Sequence, residues 1–236
     1  MSSRPSALLS ATFWEPGYEH LVEPVHQRDA AAVRRLASLD VAIHDESGKE
    51  LASLPEDPGR EILDLDRLVR DVAGADGRVM VLFDARYDER VFPYRPHHYA
   101  YLHRRGSTAP ALYYAVNAVL GGVPERIGAA GLNNFETYVF RTSPFEERYS
   151  VLLGNVARFS TAEAEVFLHY ERDRDTRNVT LGPKAHVEVD LPAERAGQRL
   201  RRVEVKGLFR LASYVVGRRA AGGELVLFDH LFRYFT

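Results

Sequence analysis

Tyrosine and histidine alternate between positions 97 and 103 in a pattern that could bind a ligand. Four side chains in this stretch share one face of an extended strand, because the side-chain period of a strand is two: His97, Tyr99, Tyr101 and His103. Arg105 follows and adds a cation. Two imidazoles, two phenols and a guanidinium could bind a sugar or an anionic small molecule, so these five residues form the candidate ligand site.

The same face could instead be a solvated outer surface, or an interface whose polar groups are hydrogen-bonded. His97 and His103 cannot share a metal ion, because six residues of extended strand separate them by roughly 20 Å. A metal site would need His44 or a carboxylate from a neighbouring strand. The chain has no cysteine, which removes thiolate catalysis and sulfur-ligated zinc. We therefore predict no metal, no cofactor and no catalytic residue.

Nucleotides and nucleic acids are disfavoured as ligands. The glycines within residues 121–131 lack the Lys-Ser/Thr pair of a phosphate-binding loop. Arg104 and Arg105 stand beside tyrosines and could contact a single strand. However, 31 Lys and Arg against 33 Asp and Glu leave a net charge of −2. Without a basic field to attract phosphates, we do not expect nucleic acid as a partner.

The segments that carry these residues are predicted to be β-strands. Short alternating runs rich in β-branched and aromatic residues recur along the chain, and turns with Gly, Pro, Asp or Ser separate them. Short strands separated by turns in this way predict an all-β fold of the sandwich or barrel type. Two helices are expected in addition, one over residues 27–38 and a short one from an Asp64 cap to Val72.

Four segments recur in the same order at a separation of about 125 residues. Residues 41–44 match 166–169, 61–65 match 187–191, 79–81 match 203–205, and 101–104 match 228–231. The matches pair His44 with His169 and His103 with His230. Each pair is either a duplicated site or a duplicated structural hydrogen bond.

A repeat this long predicts two tandem immunoglobulin-like β-sandwich domains related by internal duplication. The first sandwich is expected over residues 6–105 and the second over residues 133–236. Residues 106–132 should connect them, as an apolar inter-domain strand followed by a Gly-rich stretch.

Two apolar, aromatic-rich segments are candidates for association between chains. Residues 111–120 and 227–235 are too apolar to be solvated, and antiparallel sandwiches have edge strands that need covering. We expect at least one of these segments to be buried in a homo-oligomer. The predicted interface side chains are Tyr113, Tyr114, Phe232 and Tyr234.

The second repeat resembles the sensory rhodopsin transducer family. The resemblance rests on an apolar strand running into an Asn turn (residues 151–155), an alternating strand ending in an aromatic residue (165–170), a Gly-Pro-basic turn before a strand that closes with Asp (182–191), and a late strand with His230. It implies a small cytoplasmic β-sandwich protein that oligomerises and relays between a photoreceptor and other partners. This chain departs from the family, whose members have a single domain.

The sequence therefore predicts a non-enzymatic cytoplasmic binding or adaptor protein that acts as a homo-oligomer, with a protein or a small molecule as its partner. The alternative is a sugar- or anion-binding protein or enzyme that uses the Tyr/His/Arg face of the first domain. No targeting segment is visible, and no stretch approaches the roughly 20 apolar residues of a spanning helix. We expect a cytoplasmic location without membrane insertion.

Overall fold

The computed structural model describes residues 6–23, 36–57, 60–87, 98–120, 134–140, 147–207 and 211–233. The chain divides into two compact units, Met1–Val123 and Pro124–Thr236. The predicted all-β fold is confirmed, and the strand ladders are antiparallel. Within these described ranges, no helix is long and apolar enough to cross a membrane.

The described part of the first unit contains eight strands: β1 (Ser6–Trp14), β2 (Tyr18–Val22), β3 (Leu36–His44), β4 (Glu50–Glu56), β5 (Leu63–Asp64), β6 (Val79–Tyr87), β7 (His98–Arg104) and β8 (Leu112–Leu120). They are hydrogen-bonded in the order β4-β3-β6-β1-β8-β7-β2-β5. Between β5 and β6 lie a three-residue helix, α1 (Leu65–Arg67), and a π-helical turn (Leu68–Ala73).

One of the two predicted helices is confirmed. The Asp64 carboxylate accepts a hydrogen bond from the backbone N–H of Arg67 at 3.2 Å and so caps α1, as an Asp at this position should. The other prediction, residues 27–38, falls mostly outside the described residues. Its end is not helical, since β3 begins at Leu36.

Strand β8 joins two groups of strands in the first unit. Its residues 112–116 pair with residues 98–102 of β7, and its residues 117–120 pair with residues 8–11 of β1. In the segment predicted to be an inter-domain strand, β8 thus pairs with strands of the first unit along its length, first with β7 and then with β1. The first unit accordingly continues past the predicted end at residue 105.

Among its described residues, the second unit contains ten strands: β9 (Asn134–Val139), β10 (Glu147–Gly154), β11 (Ala162–Tyr170), β12 (Arg174–Leu181), β13 (His186–Leu191), β14 (Glu194–Arg195), β15 (Gln198–Gly207), β16 (Ala212–Arg219), β17 (Leu225–His230) and β18 (Phe232–Arg233). One sheet has the order β13-β10-β16-β17, and the other has the order β12-β11-β15-β9-β18, with β14 beside β15.

Side chains from both of these sheets meet in one hydrophobic core. Val151 and Val215 come from the first sheet, and Val166 and Val203 come from the second; all four are fully buried. Alternate residues of β10 and of β11 face this core, which is the packing of a β-sandwich.

The two units have corresponding strand orders. The row β4-β3-β6-β1 corresponds to β12-β11-β15-β9, and the row β7-β2-β5 corresponds to β16-β10-β13. In the first unit, the last strand, β8, bonds to both rows. In the second unit, β17 bonds to one row and β18 bonds to the other. An origin by duplication and an immunoglobulin-like classification remain predictions.

Three of the four sequence matches fall on corresponding strands: β3 with β11, β5 with β13, and β6 with β15. The fourth match is corrected by the structure. His103 lies on β7, between β2 and β8, whereas His230 lies on β17, the counterpart of β8. Both segments have an aromatic residue two positions before the histidine, which is why their sequences look alike. His103 and His230 therefore do not form a duplicated pair.

A buried polar network lies close to the point where β8 passes from one row to the other. The Tyr114 hydroxyl is 2.5 Å from Thr12 Oγ1 on β1 and 2.6 Å from His20 Nε2 on β2. All three side chains are buried, and among the described residues His20 Nδ1 has no hydrogen-bond partner. Because burial disfavours the imidazolium, the pKa of His20 is lowered from 6.5 to about 3. The ring is neutral at pH 7.

We predict that His20 makes the fold acid-sensitive. In the unfolded chain this ring takes up a proton below pH 6.5, whereas in the folded protein it does so only near pH 3. The free energy of unfolding should therefore fall by about 1.4 kcal/mol per pH unit between these values as the pH is lowered. His20→Gln cannot titrate, so its free energy of unfolding should fall less steeply than that of the wild type as the pH is lowered. Urea unfolding at pH 7, 6 and 5 measures both slopes.

His103→Gln is the matched control, because His103 is half-exposed. This variant should show the same change in the free energy of unfolding with pH as the wild type. The carboxylates contribute equally to the pH dependence of all three proteins. Parallel curves for the wild type and His20→Gln would contradict the prediction.

Candidate functional site

The predicted Tyr/His face lies on the outer side of β7. Ala100 and Leu102 on this strand are buried, so the residues that alternate with them point away from the core. Tyr99 is 47% exposed, and Tyr113 on the neighbouring strand β8 is 74% exposed. We call the following residues the aromatic face: Tyr99, Tyr101, His103 and Tyr113.

Cross-strand pairing organises the aromatic face. Tyr101 stands opposite Tyr113 in the ladder, and their ring centres are 5.3 Å apart at 69°. Such an edge-to-face pair is worth about 0.5–1.5 kcal/mol beyond its buried area. The His103 ring centre lies 6.2 Å from that of Tyr101. On the other side, β2 places Glu19 opposite His103 and Leu21 opposite Tyr101. The rings are therefore held in place before any ligand binds.

The face is neutral in its centre and acidic at its β2 border. Desolvation by its neighbours, then the charge of Glu19 and the phenol of Tyr113, raise the pKa of Tyr101 above its ordinary value of 10. The Tyr101 hydroxyl therefore stays protonated at physiological pH and can donate or accept a hydrogen bond. Glu19 is exposed to solvent.

Arg105, the predicted cation of this site, is engaged elsewhere. Its guanidinium is ion-paired with Asp66 of α1, a carboxylate that also binds Arg70 at 3.0 Å. Its backbone N–H donates to the Gly17 carbonyl at 3.1 Å. The structure thus joins Tyr99, Tyr101 and His103 in one face and directs the Arg105 charge to Asp66. His97 lies outside the described residues.

The structure separates two neighbours that were both predicted to be interface residues. Tyr113 belongs to the aromatic face, whereas Tyr114 is 3% exposed and bonds to Thr12 and His20 inside the first unit. The prediction for Tyr114 is corrected because strand alternation turns adjacent residues to opposite sides. Tyr234 and the Phe232 side chain are outside the described residues, although the Phe232 backbone pairs with β9 in β18.

His44 and His169 lie on corresponding strands but make different contacts. His44 Nδ1 donates to the Gly48 carbonyl at 3.3 Å, in the turn after β3. His169 Nε2 lies 3.2 Å from Arg202 Nη2 and 3.9 Å from Glu204 Oε2. Partial burial, and then the Arg202 charge, lower the pKa of His169. One imidazole contacts a turn carbonyl and the other contacts charged side chains, so these contacts give no duplicated bond.

The second unit exposes an aromatic residue that the sequence analysis did not single out. Phe159 is 79% exposed, the largest value among the described large hydrophobic side chains. We call residues 155–161, between β10 and β11, the Phe159 loop. The Arg158 guanidinium carbon lies 5.9 Å from the centre of the Phe159 ring, and both residues face solvent.

Asn155 fixes the base of the Phe159 loop. Its Oδ1 accepts from the Ala157 N–H at 2.9 Å, and Lys184 Nζ donates to the Val156 carbonyl at 2.7 Å. The two N–H groups on Asn155 Nδ2 are shared among three carbonyls at 2.8–3.1 Å, those of Ser160, Leu181 and Gly182. The Asn turn and the Gly-Pro-basic turn noted in the sequence are therefore one hydrogen-bonded unit. An Asn directly after an apolar strand was the signal for it.

A shallow recess of about 420 Å³ also lies in the second unit, on β11, β12 and β15. Its polar lining is made of Glu163, Glu165, Asn178, Thr180 and Lys206. Lys206 Nζ is 2.9 Å from Glu165 Oε2, so these two opposite charges are already paired. The aromatic face is the stronger candidate because its rings are exposed and pre-positioned.

No family model, curated protein or solved structure matches the chain. The resemblance to the sensory rhodopsin transducer family stays a prediction.

We predict that Asn155→Ala loosens the Phe159 loop. The substitution leaves buried carbonyl and N–H groups without a partner, which costs about 1–3 kcal/mol. Urea unfolding should report this loss of stability, and trypsin should cut after Arg158 faster than in the wild type. Asn178→Ala on β12 is the matched control, because Asn178 is exposed. An unchanged cleavage rate in Asn155→Ala would show that Asn155 does not hold the loop.

Proposed function

We propose that the protein is a non-enzymatic binding or adaptor protein that acts as a homo-oligomer, and that the aromatic face is its docking surface. One observation carries the proposal: an ordered sheet face exposes tyrosine rings on adjacent strands, with Tyr113 74% and Tyr99 47% exposed. Tyrosine is enriched at the centres of protein interfaces, where its ring is buried and its hydroxyl keeps a polar partner.

The shape of the face supports a macromolecular partner over a small molecule. Small-molecule sites are concave and enclose most of the ligand. Here the rings stand on the open side of a sheet, and Tyr113 is mostly exposed. The anion-binding alternative also needs the Arg105 cation, which is paired with Asp66. A broad surface whose rings are already positioned suits a protein partner, because little side-chain freedom is lost on docking.

The proposal extends to the class of fold and the location of the protein. We propose two immunoglobulin-like sandwiches that arose by duplication, in a cytoplasmic adaptor similar to the sensory rhodopsin transducer family. The corresponding strand orders of the two units support the duplication. The motifs quoted from the second repeat support the family.

We predict that removing the two most exposed rings of the aromatic face dissociates the homo-oligomer. Light scattering should give the wild type a mass well above the 26.6 kDa of one chain. The double variant Tyr99→Ser/Tyr113→Ser, called the face variant, should return to one chain at the same concentration. Its melting temperature should fall by only a few degrees, because the Tyr101–Tyr113 ring pair contributes about 0.5–1.5 kcal/mol and both removed rings are exposed.

Ile62→Ser/Val72→Ser is the matched control, because it removes two exposed apolar side chains of the same unit. This control should stay assembled. A wild type of 26.6 kDa at tens of micromolar would refute the homo-oligomer. An assembled face variant would refute the aromatic face as the docking surface.

A further inference from the structure

Phe159 and the aromatic face are two exposed aromatic surfaces, and they belong to different units of the same chain. We propose that the aromatic face of one copy binds the Phe159 loop of a second copy, so that the chains associate head to tail. The inference rests on the proposed function, since it names the segment that occupies the aromatic face.

The Phe159 loop has the properties of a protein-interface anchor. Exposed Phe rings are unfavourable in water, and a single buried aromatic residue often supplies much of the energy of an interface. The loop is also pre-ordered, because Asn155 and Lys184 bond its backbone to the turn after β12. Binding would therefore cost little loop entropy.

The two surfaces are complementary in chemistry. The aromatic face offers phenol rings and Leu21, with the exposed carboxylate of Glu19 at its border. The loop offers a phenyl ring with the exposed guanidinium of Arg158 beside it. When Phe159 packs on the tyrosines, Arg158 and Glu19 bring opposite charges to the rim of the interface, where they set orientation.

This pairing joins different surfaces on the two copies. Each chain carries one aromatic face and one Phe159 loop, so bonding is heterologous and leads to closed rings or open chains. A face-to-face dimer would instead use the same surface twice and would not need Phe159. The two arrangements therefore respond differently to loss of the loop.

Mixing two variants tests the inference. The loop variant, Arg158→Ser/Phe159→Ser, and the face variant should each sediment as single chains, because each lacks one half of the contact. Their equimolar mixture should form a complex of two chains and stop there, since one intact face meets one intact loop. Sedimentation velocity at up to hundreds of micromolar measures all three samples, and thermal melts confirm that both variants are folded.

The failures of the two proposals are distinguishable. If the loop variant assembles like the wild type while the face variant does not, the aromatic face remains a docking surface and the Phe159 loop is not its occupant. A mixture that stays as single chains also overturns the head-to-tail contact. If the wild type itself is a single chain, both proposals fail.

Charge reversal tests the contact between Arg158 and Glu19. Arg158→Glu and Glu19→Arg should each weaken association about two- to five-fold, the range for an exposed ion pair. A chain that carries both changes should recover, because the reversed pair is again opposite in sign. Arg172→Glu, an exposed arginine elsewhere in the second unit, is the matched control and should have no effect. Failure of the double reversal to recover would overturn the pairing of these residues.

Discussion

The hydrogen bonds that tie the last segment of each unit to both of its rows of strands constrain the rest of the unit. In the first unit, one continuous strand, β8, bonds to β7 and then to β1. In the second unit, β17 bonds to β16, and after Leu231 the chain continues as β18 against β9. Main-chain ladders fix register, and a shift of one residue would turn every side chain of the strand to the opposite face.

That register gives one strand two roles. Tyr114 points inward, where its hydroxyl joins Thr12 and a neutral His20, so that hydrogen bonds offset part of the cost of burying polar groups. Tyr113 points outward and packs edge-on against Tyr101. The interior network and the aromatic face therefore depend on the same ladder.

The second unit positions its exposed aromatic residue in a different way. Phe159 stands on a loop and not on a sheet, and side-chain bonds from Asn155 and Lys184 to backbone groups hold that loop. Buried carbonyls need partners, and here the Asn amide supplies them for two turns that are far apart in sequence. In both units an exposed ring is thus carried by backbone that hydrogen bonds have already ordered.

The sequence by itself determined what depends on local pattern. Alternation predicted an all-β chain and the shared face of Tyr99, Tyr101 and His103, and the Asp64 cap predicted a short helix. Only the tertiary structure decided the side to which each face turns and which residues meet. The two-residue period of a strand places Tyr113 and Tyr114 on opposite sides of β8, but it does not determine which of them is buried. The pairing of Arg105 with Asp66, and the placement of His103 and His230 on strands that do not correspond, depend on contacts between distant segments, which no local pattern encodes.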